Sequence, residues 1–298
     1  MRLRNITAGP AGTTNSDRAF TNRALRIAAL VAVGLSISAC NSLFSKDEDE
    51  FAVIEEEPAE ILYNEGLILV NSGSFAAAAE KFDEVERIHP YSEWARKSLI
   101  MSAYSNYESE RYPDAITSAK RYVTLYPGSD DAAYAQYLIG ESYYNQIADI
   151  GRDQERSEKA AVAYRELIEK YPESEYAVEA RGKLEVARDQ LAGKEMEIGR
   201  YYLNKHQYLA SINRFKAVVT EYQTTRHIEE ALHRLTESYY ALGLIPEAQT
   251  SAAILGHNYP DSPWYRDSFT LLSSGGYEPL ENEQSWLSKM FRKTSGTL

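Results

Sequence analysis

One cysteine and five histidines carry most of the reactive chemistry open to this 298-residue chain. The histidines, His89, His206, His227, His233 and His257, show none of the spacings by which imidazoles share a metal ion from one helix. No HExxH, no P-loop and no Gly-rich dinucleotide turn occurs. Carboxylates are plentiful, but patterning puts them on solvated helix faces. No catalytic residue, no metal site and no cofactor is therefore expected, and the expected role is not enzymatic. Cys40 remains, and a lone thiol can be a buried apolar group, a nucleophile or an attachment point.

Its flanks decide among these. Arg18, Arg23 and Arg26 precede the apolar run from Ile27 to Ile37, and the small residues Ser38 and Ala39 lead into Cys40. Basic start, short apolar stretch and small-residue junction are the anatomy of a secretory signal. The run is too short to span a membrane, which takes roughly 20 apolar residues. Ile37-Ser38-Ala39-Cys40 resembles a bacterial lipobox, which implies a signal over 1–39, cleavage before Cys40 and lipid on that residue. Several acyl chains, at about 0.8 kcal/mol per buried CH₂, anchor stably where one alone is marginal. Asn41 after the cysteine, where Asp would favour the inner membrane, implies the outer membrane, facing the periplasm. Residues 40–57, the lipidated Cys and an acidic stretch without helical periodicity, read as a tether.

Removing residues 1–39, with five Arg and one Asp, leaves 27 basic and 43 acidic residues, a balance near −16. Such a surface repels phosphate backbones, so no nucleic-acid partner is expected. The composition is otherwise marked by 23 Tyr against eight Phe and three Trp, which suits half-wet grooves.

The elements follow from self-similarity. Pro90, Pro127, Pro172, Gln223 and Pro260 each follow a helical apolar pattern. Twelve residues earlier stand Ala78, Ala115, Ala160, Ser211 and Ala248, all small. Further upstream come Gly66, Ala103, Gly140, Gly199 and Thr236. A small residue in each of two helices, a bulky one beside their crossing and a closing proline make the tetratricopeptide pattern. The chain is thus predicted all-α, a tetratricopeptide-repeat α-solenoid of five helix pairs, A and B. These run 59–72 and 75–88, 93–109 and 112–125, 130–147 and 155–170, 175–204 (one long helix or one broken near Gly193) and 208–221, and 227–242 and 245–258. Repeats 1–3 fill 58–172, repeats 4–5 fill 173–271, and 272–298 is a tail.

The lipobox, tether and repeats, with "GRDQ" at 151–154 and "EMEIGRYYLNKHQYLASINRF" at 195–215, resemble the BamD (ComL) family, lipoproteins of the outer-membrane β-barrel assembly machine. The resemblance covers about 40–270. It implies a non-enzymatic scaffold that holds the barrel-forming assembly subunit, recruits accessory lipoproteins and receives the C-terminal segments of unfolded outer-membrane proteins.

In this repeat, A-helix positions three before and one and four after the small residue face the inner side. In the first three repeats these include Tyr63, Tyr104, Tyr107, Tyr137, Glu141 and Tyr144, an aromatic line fit for an extended peptide ending in an aromatic residue. Lys97 offers a cation for a terminal carboxylate. Aromatic stripes at helical spacing also serve as core, so both roles stay open. Later repeats present Arg200, His233, Glu237 and Tyr240, a mixed set suited to a folded partner, though Arg200 could equally pair with a neighbouring carboxylate. In the tail, Trp286, Leu287, Met290 and Phe291 share one helical face, for a partner or membrane contact or for a cap on the last repeat. An alternative function is an envelope repeat protein coupling cell-wall synthesis to envelope constriction, but the coiled coil usual there is missing. A wall-processing enzyme would need an added domain that is not visible.

Overall fold

In repeats 1, 3 and 4 a glycine of the A helix meets a ring from its B helix, whereas repeats 2 and 5 have Ala119 and Ala252 at the ring's position. A Cβ on Gly66 would lie 2.5 Å from the Phe82 ring, and one on Gly140 would lie 2.5 Å from the Tyr164 ring. Phe215 covers Gly199 in the same way. All three rings are fully buried. Two helices approach this closely only where one side chain is missing.

The computed structural model describes residues 57–295, and there the chain is helical, with no strand. The predicted signal, Cys40 and nearly all of the tether lie outside the described residues. The first two pairs are α1 (Ala59–Asn71) with α2 (Phe75–Ile88) and α3 (Glu93–Glu108) with α4 (Tyr112–Leu125). The third is α5 (Ala132–Tyr144) with α6 (Glu155–Lys170), joined by the longer loop at 145–154. The fourth is α7 (Glu175–Asn204) with α8 (Tyr208–Glu221), and the fifth α9 (Ile228–Ala241) with α10 (Ile245–Asn258). Two further helices, α11 (Pro263–Ser274) and α12 (Trp286–Ser295), follow. The repeating helix pairs make a helical repeat solenoid. The A helices of the first three repeats each pack on the A helix that follows, whereas consecutive B helices lie apart.

Two further residue columns explain the connections. A hydroxyl stands two residues beyond each closing position, at Ser92, Ser129, Ser174, Thr225 and Ser262. Ser92, Ser174 and Ser262 accept from the backbone N–H groups of Ala95, Tyr176 and Trp264, satisfying otherwise unpaired donors at helix starts. Ser129 and Thr225 donate back to the carbonyls of Tyr126 and Tyr222. The A-to-B turn demands a left-handed residue in four repeats, filled by Gly73, Glu110, His206 and Gly243; glycine meets that demand without steric cost.

Helix α7 is one unbroken helix through Gly193. That glycine is buried, and a Cβ there would meet Ile150 of the third-repeat loop at 3.0 Å and His227 at 3.3 Å. Its role is close packing, and the helical hydrogen-bond ladder continues past it. Helix α11 has no counterpart among the predicted pairs. It packs on α9 and α10 as a single extra layer over the fifth repeat.

Candidate functional site

The A helices of repeats 1–3 carry a series of separate aromatic contacts. Tyr63 on α1 packs against Phe82 and Trp94, with centroids 5.5 and 5.0 Å apart. Lys97, one turn along α3 from Trp94, holds its Nζ 4.3 Å from the centre of that indole, and it has no carboxylate partner among the described residues. Tyr104 meets Phe75 edge-on at 6.0 Å, and Tyr107 meets Tyr112 likewise. Tyr63, Lys97, Tyr104 and Tyr107 are all half-buried. Burial pushes the hydroxyls of the three tyrosines above their ordinary pKa, so they present neutral rings with a polar edge.

The third repeat is arranged differently. Tyr137 and its neighbour Tyr134 tilt onto Tyr176 of α7, at 5.3 and 5.2 Å. Glu141 is only 5% exposed. It accepts from Tyr164 Oη at 2.6 Å, from Lys183 Nζ at 2.5 Å and from Tyr107 Oη at 3.4 Å. Lys183 Nζ also donates to Tyr137 Oη at 3.1 Å and lies 5.6 Å from the centre of the Tyr144 ring. Burial alone would lower the Lys183 pKa, but its bonds to Glu141, Tyr137 and Glu179 win and raise it. The Tyr164 and Tyr137 hydroxyls are raised by burial, Tyr164 further by the Glu141 carboxylate. This is a network in which one cation, two carboxylates (Glu141 and Glu179) and three hydroxyls satisfy one another. Tyr137, Glu141 and Tyr144 therefore face α7, while Tyr63, Lys97 and Tyr104 do not.

Sequence reasoning passes over Trp94, Tyr176 and Lys183. Trp94 lies nine residues before the small residue of its repeat, outside the positions taken to face inward. Tyr176 and Lys183, seven apart and hence on one face, sit in the first half of α7. The register set by Gly199 describes only its second half.

In the later repeats, Arg200 Nη1 binds Glu230 Oε2 at 2.9 Å, and Arg234 bridges Glu230 and Glu237 at 3.3 and 2.8 Å. His233 lies beneath α11, its Nδ1 2.9 Å from Ser268 Oγ and its ring against Trp264, and burial lowers its pKa. Tyr240 packs against the core and meets Tyr277 edge-on. Arg200 and Glu237 thus belong to a chain of ion pairs, while His233 and Tyr240 are covered from the C-terminal side.

The tail helix is seated on the fold. Leu287 is 2% exposed and belongs to the core of repeats 4–5, and Trp286, Met290 and Phe291 pack against that core. Trp286 Nε1 donates to Tyr239 Oη at 3.3 Å, and Lys216 Nζ stands 4.4 Å from the indole centre. Asn282 N donates to Thr250 Oγ1 at 3.0 Å, pinning the segment that leads into α12.

Among the described residues no group of His, Cys, Asp and Glu could hold a metal ion, and no helix is long and apolar enough to cross a membrane.

The family model described as "YfiO: Outer membrane lipoprotein" matches residues 55–255. A protein of Caulobacter vibrioides named "Outer membrane protein assembly factor BamD" is 45% identical over 262 residues, covering 88% of this chain and 85% of the relative. A protein of the same name from Rickettsia prowazekii is 39% identical over 83% of this chain and 96% of its own length. Among solved structures, the TPR2AB domain of yeast Sti1, determined as its pHSP90 complex, is a weak likeness at 14% identity. It spans 80% of this chain and 98% of that one, with a TM-score of 0.35.

Proposed function

This chain belongs to the YfiO/BamD family of outer-membrane lipoproteins, and from that membership we propose that it is a non-enzymatic assembly factor for outer-membrane proteins. In this proposal Cys40 carries the lipid, residues 41–57 tether the fold, and the repeats face the periplasm from the outer membrane. Stacked helix pairs supply surfaces, and their work is to hold other polypeptides.

The observation that carries the reading is the half-buried aromatic face of the first two repeats beside a lysine without a carboxylate. Tyr63, Trp94, Tyr104 and Tyr107 offer neutral rings, and Lys97 offers charge over the Trp94 indole, between Trp94 and Tyr104 along α3. An extended segment ending in an aromatic residue and a free carboxylate matches both. We assign to this face the C-terminal segments of unfolded outer-membrane proteins. Tyr137, Glu141 and Tyr144 form its far wall, made rigid by α7. The ion-pair chain of Arg200, Glu230, Arg234 and Glu237 is the surface we assign to the barrel-forming assembly subunit, because charged, directional contacts suit a folded domain.

Purification of the tagged, full-length chain from detergent-solubilised membranes tests this. A large outer-membrane barrel protein and smaller lipoproteins should co-purify, and Arg200→Glu should reduce recovery of the barrel protein several-fold with helical content unchanged. Recovery of cell-wall synthesis proteins alone would reject the assembly reading in favour of envelope constriction.

A further inference from the structure

The groove that holds the tail is repeated two helix pairs earlier, without an occupant from the described chain. A shift of 96 residues carries Lys120, Val123, Thr124 and Tyr143 onto Lys216, Val219, Thr220 and Tyr239, residue type for residue type. The local bonding repeats as well. Thr124 Oγ1 donates to the Lys120 carbonyl at 2.8 Å, and Thr220 Oγ1 donates to the Lys216 carbonyl at 2.9 Å. Between the B helices α8 and α10 this set receives Trp286, with the lysine over the indole face and the tyrosine hydroxyl taking the indole N–H. Between the B helices α4 and α6 the same set borders an open cleft of roughly 490 Å³. There Lys120 Nζ donates to Tyr143 Oη at 3.1 Å, and Lys159 Nζ also lies over the Tyr143 ring, at 5.8 Å. Lys120 has no carboxylate partner among the described residues, and the same holds for Lys216.

The cleft between the first two B helices does not share the device: Asp83 and Asn106 stand at the corresponding places, and polar and charged groups line it. The match is therefore not a general consequence of the repeat. We propose that the α4–α6 cleft is a docking site for a tryptophan-bearing amphipathic helix from another polypeptide, with the indole between Lys120 and Tyr143. The second wall defines that partner further. In the tail's groove Ile254 lines one small cavity together with Phe291, five residues after the tryptophan. At the place of Ile254 the open cleft has Glu166, paired at the rim with Lys170. A basic residue five positions beyond the tryptophan complements that carboxylate where Phe291 does not. This also argues against the tail of a second copy as the occupant.

The test uses the full-length chain and two synthetic peptides spanning 278–295, one native and one carrying Phe291→Arg, followed by fluorescence anisotropy. The arginine peptide should bind saturably and more tightly than the native one. Lys120→Met, which keeps the apolar stem, and Tyr143→Phe should each weaken it by about tenfold, with circular dichroism unchanged, and Trp286→Ala in the peptide should abolish binding. Absence of binding by both peptides would overturn the proposal, as would affinity indifferent to Lys120→Met and Tyr143→Phe. Binding lost only on Lys216→Met would mean exchange into the tail's own groove and would also overturn it. Self-association of the wild-type chain in sedimentation, removed by Trp286→Ala or Lys120→Met, would assign the cleft to a second copy and reject a different polypeptide.

Discussion

Glu141→Ala should lower the unfolding free energy by about 3 kcal/mol, the low end of the range for removing one partner of a buried ion pair, because Lys183 keeps Glu179. The carboxylate is nearly inaccessible and meets Lys183, Tyr164 and Tyr107 together. Its removal leaves Lys183, whose side chain is only 24% exposed, with the more exposed Glu179 as its carboxylate partner, and a buried hydroxyl without its acceptor. The loss is expected as a lower denaturant midpoint measured by helicity. Glu141→Gln, which still accepts from Tyr164, should lose less. The double change Glu141→Leu with Lys183→Met should recover much of the loss, because well-packed apolar residues substitute for a buried pair at little net cost. A double mutant no more stable than Glu141→Ala would show that the network owes its stability to something other than mutual neutralisation. The same variants bear on function: without the Glu141–Lys183 tie between the third repeat and α7, the far wall of the proposed peptide face is held less firmly.

The second large effect is expected at Gly199→Val. The Phe215 ring occupies the space a side chain would need, within a closely packed core. Overpacking costs about 1–3 kcal/mol where the core can shift, and here Phe215 is fully buried and Gly199 sits on the 30-residue α7, so the upper end applies. Phe215→Leu added to Gly199→Val should restore part of the loss, since contacting residues couple. Gly182 is the control. Nothing lies within 4 Å of a Cβ there, and Gly182→Ala should stabilise the helix by about 0.5–1 kcal/mol. Thermal and denaturant melts of the four proteins give the answer, and equal effects at 182 and 199 would contradict the close-crossing account.

The solenoid is legible in the sequence because its physics recurs. Every repeat needs small residues at the helix crossings, and every B helix ends at one column, so five coincidences reinforce one another. Helix α11 escapes that logic. Ser262 and Pro263 announce a helix start, but a single capping helix has no partner with which to share a column. Tyr63, Tyr104 and Tyr107 can be read from the register because each stands at a fixed offset from the small residue of its own repeat. Lys183 cannot, since its partner Glu141 lies 42 residues away and α7 is four turns longer than a standard A helix. The exchange of Gly193 from helix breaker to packing surface likewise depends on Ile150 in a loop of irregular length. Trp286 and Leu287 are recognisable as an amphipathic face, but which surface they cover is fixed by Lys216 and Tyr239, a pairing across sequence distance.

The account's central claim is that the aromatic A-helix face of the first repeats holds other polypeptides during outer-membrane protein assembly. A photo-crosslinking side chain placed at position 104 of the full-length protein, activated in living cells, tests it most directly. Adducts with the C-terminal segments of newly made outer-membrane proteins are expected, diminished when Lys97 is replaced by Glu. No such adduct at position 104, with assembly proceeding normally, would contradict the claim.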